Sequence, residues 1–172
     1  QLNALENLCR NEHKIDKILI FTQFADTAYY LYNNLKNRGI NNIACATGDI
    51  DNPTDLAYRF SPVSNKVKDV KNELRVLIST DVLSEGQNLQ DAHIVVNYDL
   101  PWAIIRLIQR AGRVDRIGQT SDKIVCYSFL PQDGLERIIR LRRRLTRRIK
   151  ENAEAVGTDE VFFDGDPINI RD

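Results

Sequence analysis

Short apolar runs alternate with longer amphipathic stretches along the chain. Residues 1–12 place Leu2, Leu5 and Leu8 at three-residue spacing, the mark of a short amphipathic helix. "KILIFT" (17–22) is a compact apolar run and reads as a buried strand. Residues 24–38 then carry Phe24, Ala28, Leu31 and Leu35 on one helical face, with Gly39 closing the helix. "NIACAT" (42–47) predicts a second strand, ending at Gly48. Asn52-Pro53 starts a helix that runs to about Phe60. "SPVSNKVKDVKNEL" (61–74) is polar and breaks the pattern, and predicts a loop with a short surface helix. "RVLIST" (75–80) and "HIVVNYDL" (93–100) predict the third and fourth strands, the latter stopped by Pro101. Residues 102–113 are helical in pattern, "KIVCYSFL" (123–130) reads as a fifth strand, and 134–150 as a long last helix. The tail from Asn152 is weakly patterned.

Strands alternating with helices imply βαβ units and an α/β fold with a mostly parallel sheet. Parallel crossovers gather the strands' carboxyl ends on one edge, where such sheets bind ligands. The residues to inspect are therefore Thr22-Gln23, Thr47-Gly48, Thr80-Asp81 and Asp99. Three of these places begin with threonine. A hydroxyl beside free backbone N–H groups suits phosphate contacts. Threonine also ends strands and caps helices for structural reasons alone, and both readings stand.

Composition narrows the classes. At 172 residues, 42% hydrophobic and 28% charged, the chain is long enough for one soluble domain with a sizeable core. The formal net charge is zero, so overall charge says nothing about partners. Its distribution does: acids dominate from Asp49 to Asp99 and bases from Arg106 to Lys150, so one side could hold a polyanion. Cys9, Cys45 and Cys126 lie far apart and in no metal-ligand spacing, which reads as free thiols in a reducing compartment. No signal peptide and no membrane-length apolar run occurs. The chain starts at Gln1 and contains no methionine, so a piece of a longer protein is expected.

The sequence contains no G-x-x-x-x-G-K-[ST] loop and no G-x-G-x-x-G fingerprint. "IVVNYD" ends in Asp99 like a magnesium-holding strand, but no glutamate follows it. No nucleophile and base assemble into a catalytic set. The chemistry points to a domain without a complete catalytic centre, yet "RAGRVDRIGQ" (110–119) sets three arginines three apart beside two glycines.

That stretch belongs to a larger pattern. "ILIFTQF" (18–24), "VLISTDVLSEGQNL" (76–89), "VVNYDLPW" (95–102) and "QRAGRVDRIGQ" (109–119) resemble, in order and approximate spacing, motifs IV, V and VI of helicase superfamily two. The ending "DRIGQ" looks like the Swi/Snf-type ATPases and their bacterial helicase-like relatives. The resemblance covers about Lys17 to Gln119, and "SPVSNKVKDVKNE" looks like an insertion before motif V. It implies a RecA-like, three-layer domain over residues 1–150, followed by a tail or the start of a next segment at 151–172. Such motors pair two lobes, and the first carries the phosphate loop. This chain is similar to the second lobe, which accounts for the missing loop.

Carried over by position, the resemblance implies that Arg113 and Arg116 reach across the cleft to ATP on the N-terminal RecA-like lobe. Gln109 and Arg110 open motif VI near the nucleotide or the lobe interface. Gly86 and Asn88 end motif V, where ATP is contacted or coupled to nucleic acid. Thr80, with Asp81 beside it, lies next to the nucleic-acid backbone, as do Thr22 and Gln23 of motif IV and the Thr47-Gly48 turn. ATP and Mg2+ are the implied cofactors, held mainly by the first lobe. The implied partners are that lobe and double-stranded DNA, with no membrane, in a cytoplasmic, nucleoid-associated bacterial protein. The isolated lobe is expected to hydrolyse no ATP.

Arginine suits the phosphoryl-transfer role because it stays ionised and offers a planar fork of donors. If their segment is helical, Arg113 and Arg116 share a face. A purely structural alternative is a solvated basic face, or ion pairs to Asp99 or Asp115. In the last helix, Leu135, Ile138, Leu141, Leu145 and Ile149 form a stripe, with Arg137, Arg140, Arg142, Arg143, Arg144, Arg147, Arg148 and Lys150 off it. Those bases form either a DNA-tracking face or a solvated one. Two further functional readings stay open: a nucleic-acid-binding module that kept the fold without the engine, and a stand-alone regulatory α/β domain of flavodoxin-like layout.

Overall fold

The structure is a computed structural model. It describes residues 1–50, 52–84, 87–99, 104–116 and 118–129. The chain divides into two units, Gln1–Leu130 and Pro131–Asp172, and every described residue belongs to the first. Gly86, the helix expected at 134–150 and the tail lie outside the described residues.

Five four-residue strands form one all-parallel sheet: β1 (Ile18–Phe21), β2 (Ile43–Ala46), β3 (Val76–Ser79), β4 (Ile94–Asn97) and β5 (Val125–Ser128), in the order β2-β3-β1-β4-β5. β1 is central, with Ile18 opposite Val76 on one side and Ile94 on the other. The three inner strands are buried at every position, which is why they read as unbroken apolar runs. The edge strands β2 and β5 are only partly covered. Alternation splits each strand between two cores. Ile18 and Ile20 pack with Leu5, Leu8, Ala28, Leu31 and Leu35 on one face. Leu19 and Phe21 pack with Leu56, Phe60, Leu83 and Val114 on the other. The result is the α/β/α layering expected of a RecA-like lobe.

The helices form where the periodicity places them. α1 (Leu2–Asn7) runs into a π-helical turn (Leu8–Glu12), ended where the His13 N–H meets the Leu8 carbonyl at 2.9 Å. α2 (Ala25–Asn37) buries Ala28, Leu31 and Leu35 at helical spacing. Gly39 ends it at φ +85°, a left-handed conformation that a side chain would resist. The Ile40 N–H then returns to the Leu35 carbonyl at 3.0 Å, and Ile40 is buried. α3 (Pro53–Phe60) has Pro53 in its first turn, and the Asn52 side chain accepts from the Asp55 N–H at 3.0 Å.

Residues 61–74 depart from expectation, for they hold turns and no helix. Lys66, Asp69 and Asn72 all have positive φ, which a right-handed helix cannot absorb. Side chains organise the segment instead. The Asp91 carboxylate accepts from the Val63 and Ser64 N–H groups, both at 2.8 Å, and Asn65 donates to the Ser61 and Asn88 carbonyls. A 3₁₀ turn over Asp81–Ser84 follows β3, and α4 (Ile104–Ala111) stops two residues short of its expected end.

Urea unfolding of Asn52→Ala should show a loss of about 1 kcal/mol, since a cap acceptor disappears. Gly39→Ala should cost about 1–2 kcal/mol, from the left-handed backbone. Burial pushes the Cys9 thiol up to about 11. At pH 8 it should therefore stay protonated and resist a disulfide reagent until the chain unfolds; rapid native labelling of Cys9 would contradict this packing.

Candidate functional site

The strands' carboxyl ends share one edge, as parallel pairing requires, and bring Thr22, Thr47, Thr80 and Asp99 there. The hydroxyls do not all face outward. Thr22 is fully buried, and its hydroxyl donates to the Asp99 carboxylate. The Gln23 N–H donates to the same carboxylate, at 3.1 and 3.0 Å from its two oxygens. Asp99 is thus a clasp between the ends of β1 and β4. Thr47 is buried too; its hydroxyl donates to Asp49 and lies 2.8 Å from the Tyr29 hydroxyl. The bond from Thr47 first, and then one that the Tyr29 hydroxyl donates to Asp49 at 3.0 Å, hold the Asp49 carboxyl below the usual carboxylate range. Gly48 beside them is open, with nothing within 4 Å of where a Cβ would stand. Thr80 is half-buried, and its N–H donates to the Ala46 carbonyl at 3.0 Å. The side chains of Thr22 and Thr47 therefore serve the fold, while Gly48, Gln23 and Thr80 remain at the edge.

The arginines gather around Asp81, which the 3₁₀ turn after β3 presents to α4. Arg106 and Arg110, one helical turn apart, both reach it. Arg106 Nη1 donates to Asp81 Oδ2 at 2.8 Å, and Arg110 Nε to Oδ1 at 3.0 Å. Arg110 Nη1 also lies 3.2 Å from the Asn97 amide oxygen, and its guanidinium stacks 5.2 Å from the Phe21 ring centre. Only 1% of Arg110 is exposed, so this charge is paired, hydrogen-bonded and covered. Its Nη2 has no hydrogen-bond partner among the described residues. Phe21, Asp81, Arg106, Gln109, Arg110 and Arg113 line a cleft of about 170 Å³.

Past Ala111 the chain turns. A Cβ on Gly112 would stand 3.2 Å from the Ile108 carbonyl oxygen, a close approach that glycine avoids. Val114 then dives into the core between Arg113 and Arg116. Their expected common helical face does not exist, because α4 has ended and the backbone is in turns. Arg113 is half-buried in the cleft wall, and Arg116 is exposed. Gln119 fixes the turn by donating to the Ala92 and Val114 carbonyls, both at 2.9 Å. The purely structural alternative named Asp99 or Asp115 as ion-pair partners; for Arg110 the partner is Asp81. Asp81 correspondingly stands as the counter-ion of two arginines. Asn88 is half-buried, its carbonyl tied to Asn65.

Sequence reasoning missed Arg106, Gln119 and the clasp role of Asp99. Arg106 carried a signal, four residues before Arg110 on one helical face. Gln119 and Asp99 carried none that is local.

The comparisons agree with this geometry. Residues 1–118 match the model of the helicase conserved C-terminal domain. An uncharacterized ATP-dependent helicase of Bacillus subtilis, YqhH, is 37% identical over 108 residues, which are 62% of this chain and 18% of the relative. The ATP-dependent RNA helicase DBP8 of Candida glabrata is 38% identical over 80 residues, 46% of this chain and 18% of the relative. The chain thus spans about a fifth of the length of these relatives. Among solved structures, the C-terminal part of the Fun30 ATPase domain superposes with a TM-score of 0.65 at 21% identity, covering 83% of this chain and 44% of that one. Saccharomyces cerevisiae Dbp5 L327V bound to RNA and ADP BeF3 gives 0.63 at 26%, covering 84% and 35%. No helix among the described residues is long and apolar enough to cross a membrane. Matched motifs over most of the chain, a parallel sheet of RecA-like layering and arginines gathered at its carboxyl edge lead to one conclusion: the chain belongs to the helicase conserved C-terminal domain family.

Proposed function

We propose that this chain is the second lobe of an ATP-dependent, Swi/Snf-type motor that moves along double-stranded DNA. The observation that carries the reading is the Arg106–Asp81–Arg110 platform, which anchors α4 so that Arg113 lines a cleft at the sheet's carboxyl edge. Arg113 and Arg116 act as the arginine fingers of this reading. ATP, when bound on the N-terminal lobe, supplies the phosphoryl group whose transferring charge such arginines stabilise. The cleft fits the role: its cationic side chains suit phosphate oxygens, and in this reading the first lobe holds the rest of the nucleotide. Mg2+ falls to that lobe as well, since Asp81 is occupied by two arginines.

Arg113 sits in the cleft wall on a turn pinned by Gln119, so its approach is preset; Arg116 projects from the exposed part of that turn. Because the fingers and the phosphate loop sit on different lobes, hydrolysis requires closure. Gln23, Gly48 and Thr80 line the opposite, nucleic-acid-facing part of the edge in this reading, with Asn88 and Gly86 linking it to the nucleotide side. Closing and reopening move the two lobes' grips on DNA relative to one another. The kinship of "DRIGQ" to Swi/Snf-type motors supports DNA. The DBP8 relatives, RNA helicases by name, favour a second reading in which the track is RNA.

Arg113→Ala or Arg116→Ala in the full-length protein should lower nucleic-acid-stimulated ATP turnover by about 10³-fold or more while leaving nucleic-acid binding nearly intact. Wild-type turnover in both variants would refute the finger assignment. Stimulation of the wild-type ATPase by duplex DNA should exceed that by RNA of equal length; the reverse order would transfer the protein to the RNA reading.

A further inference from the structure

We propose that Asn65 is a positioning residue for the end of motif V, and that segment 61–74 thereby sets how strongly nucleic-acid binding is coupled to ATP turnover. The role rests on the motor reading above and adds to it a residue outside motifs IV, V and VI. The Asn65 side-chain amide donates to two carbonyls, that of Ser61 at 2.7 Å and that of Asn88 at 2.8 Å. The first bond stays within its own segment, and the second crosses to motif V. The amide is presented from an ordered base. The Asn65 N–H donates to the Ser61 carbonyl at 3.2 Å, and the Val67 N–H to the Pro62 carbonyl at 2.9 Å. Lys66, at φ +55°, turns the chain out of that coil. Asp91 fixes the same turn from outside: its carboxylate takes the Val63 and Ser64 N–H groups, and its own N–H donates to the buried Ser61 hydroxyl at 3.0 Å. With the backbone already ordered, the bond to Asn88 costs only side-chain entropy.

Asn88 lies between two anchors of motif V. Upstream, Asp81 is held by Arg106 and Arg110. Downstream, Leu89 is fully buried. Among the described residues, the hydrogen bonds of Gln87 and Asn88 lead to α3 and the segment after it. Gln87 Nε2 donates to the Thr54 hydroxyl at 3.4 Å, and the Asn88 carbonyl accepts from Asn65. α3 itself follows the turn in which the Ile50 N–H returns to the Thr47 carbonyl at 3.2 Å. The motor reading sets that turn, with Gly48, on the nucleic-acid-facing edge. Covalent chain and hydrogen bonds thus run from the turn through α3 and 61–74 to motif V. Coupling between two sites needs an element that both sides bias, and the Asn65–Asn88 bond is the join in this one.

The full-length protein is assayed for ATP turnover against rising duplex DNA and, in parallel, RNA of equal length. Asn65→Asp keeps the side-chain shape and removes the donor. It should lower maximal stimulation about fivefold, the scale of one net hydrogen bond, with little change in the half-saturating nucleic-acid concentration. Asn65→Gln, which retains an amide, should keep more of the stimulation. Lys68→Ala, at an exposed position of the same segment, should match the wild type. Hydrogen exchange without nucleotide or nucleic acid should be faster over 87–92 in Asn65→Asp and unchanged in β1 and β3. Wild-type stimulation of Asn65→Asp, a loss confined to the half-saturating concentration, equal losses in Asn65→Gln and Asn65→Asp, or a matching loss in Lys68→Ala would overturn the coupling role. Unchanged exchange over 87–92, or faster exchange spread through β1 and β3, would overturn the positioning itself. A wild type that no nucleic acid stimulates would overturn the motor reading and this role together; because that result appears in the wild type and the others only in the variants, the two failures are distinguishable.

Discussion

The pairing of Arg110 with Asp81 is the interaction on which the candidate site depends. It joins the turn after β3 to the last turn of α4, while Asn97 and Phe21 bring in the ends of β4 and β1. Three adjacent strands are thereby tied to one guanidinium. Removing one partner of a buried pair costs about 3–5 kcal/mol in general, because the other charge stays behind in low dielectric. Asp81 is 28% exposed, so solvent softens that figure here. Arg106 adds a second cation to the same carboxylate from the solvent side.

Everything downstream takes its position from this anchor. α4 is held through Arg106 and Arg110, Gly112 lets the chain leave it tightly, and Val114 and Gln119 pin the turn to the core. Arg113 is left in the cleft wall. A second clasp works on the same edge: Asp99 takes the Thr22 hydroxyl and the Gln23 N–H, so the first turn after β1 is locked to the end of β4. The edge thus separates into a rigid guanidinium side and a side where Gly48 stays open. Residues 61–74 meet the end of motif V through Asn88 and the segment after it through Asp91. This segment is braced by those bonds, so its polarity does not imply a free loop.

Much of this was legible in the chain. Strands β1, β3 and β4 are buried on both faces, so their sequences are unbroken apolar runs, and the central strands emerge without ambiguity. α2 and α3 announced both their faces and their ends through Gly39 and Asn52. The order of motifs located the edge and named Arg110, Arg113 and Gln109. What was not legible has a common cause. The turns at 61–74 depend on acceptors supplied by Asp91, some 27 residues away. The end of α4 at Ala111 depends on Val114 finding a core made by other elements. The roles of Thr22 and Thr47 depend on which carboxylate the fold sets beside each hydroxyl.

The sequence by itself determined the strands, the main helices and the set of residues at the carboxyl edge, because apolar periodicity and strand direction are local properties that survive without a partner. Only the tertiary structure decided which of those residues face outward and which are spent inside. Asp81 and Arg110 are 29 residues apart, and they meet because the sheet places β3, β1 and β4 side by side. A charge has no address in a sequence. Its partner is whichever opposite charge the packing leaves in reach once water has been removed, and that is a property of the assembled sheet.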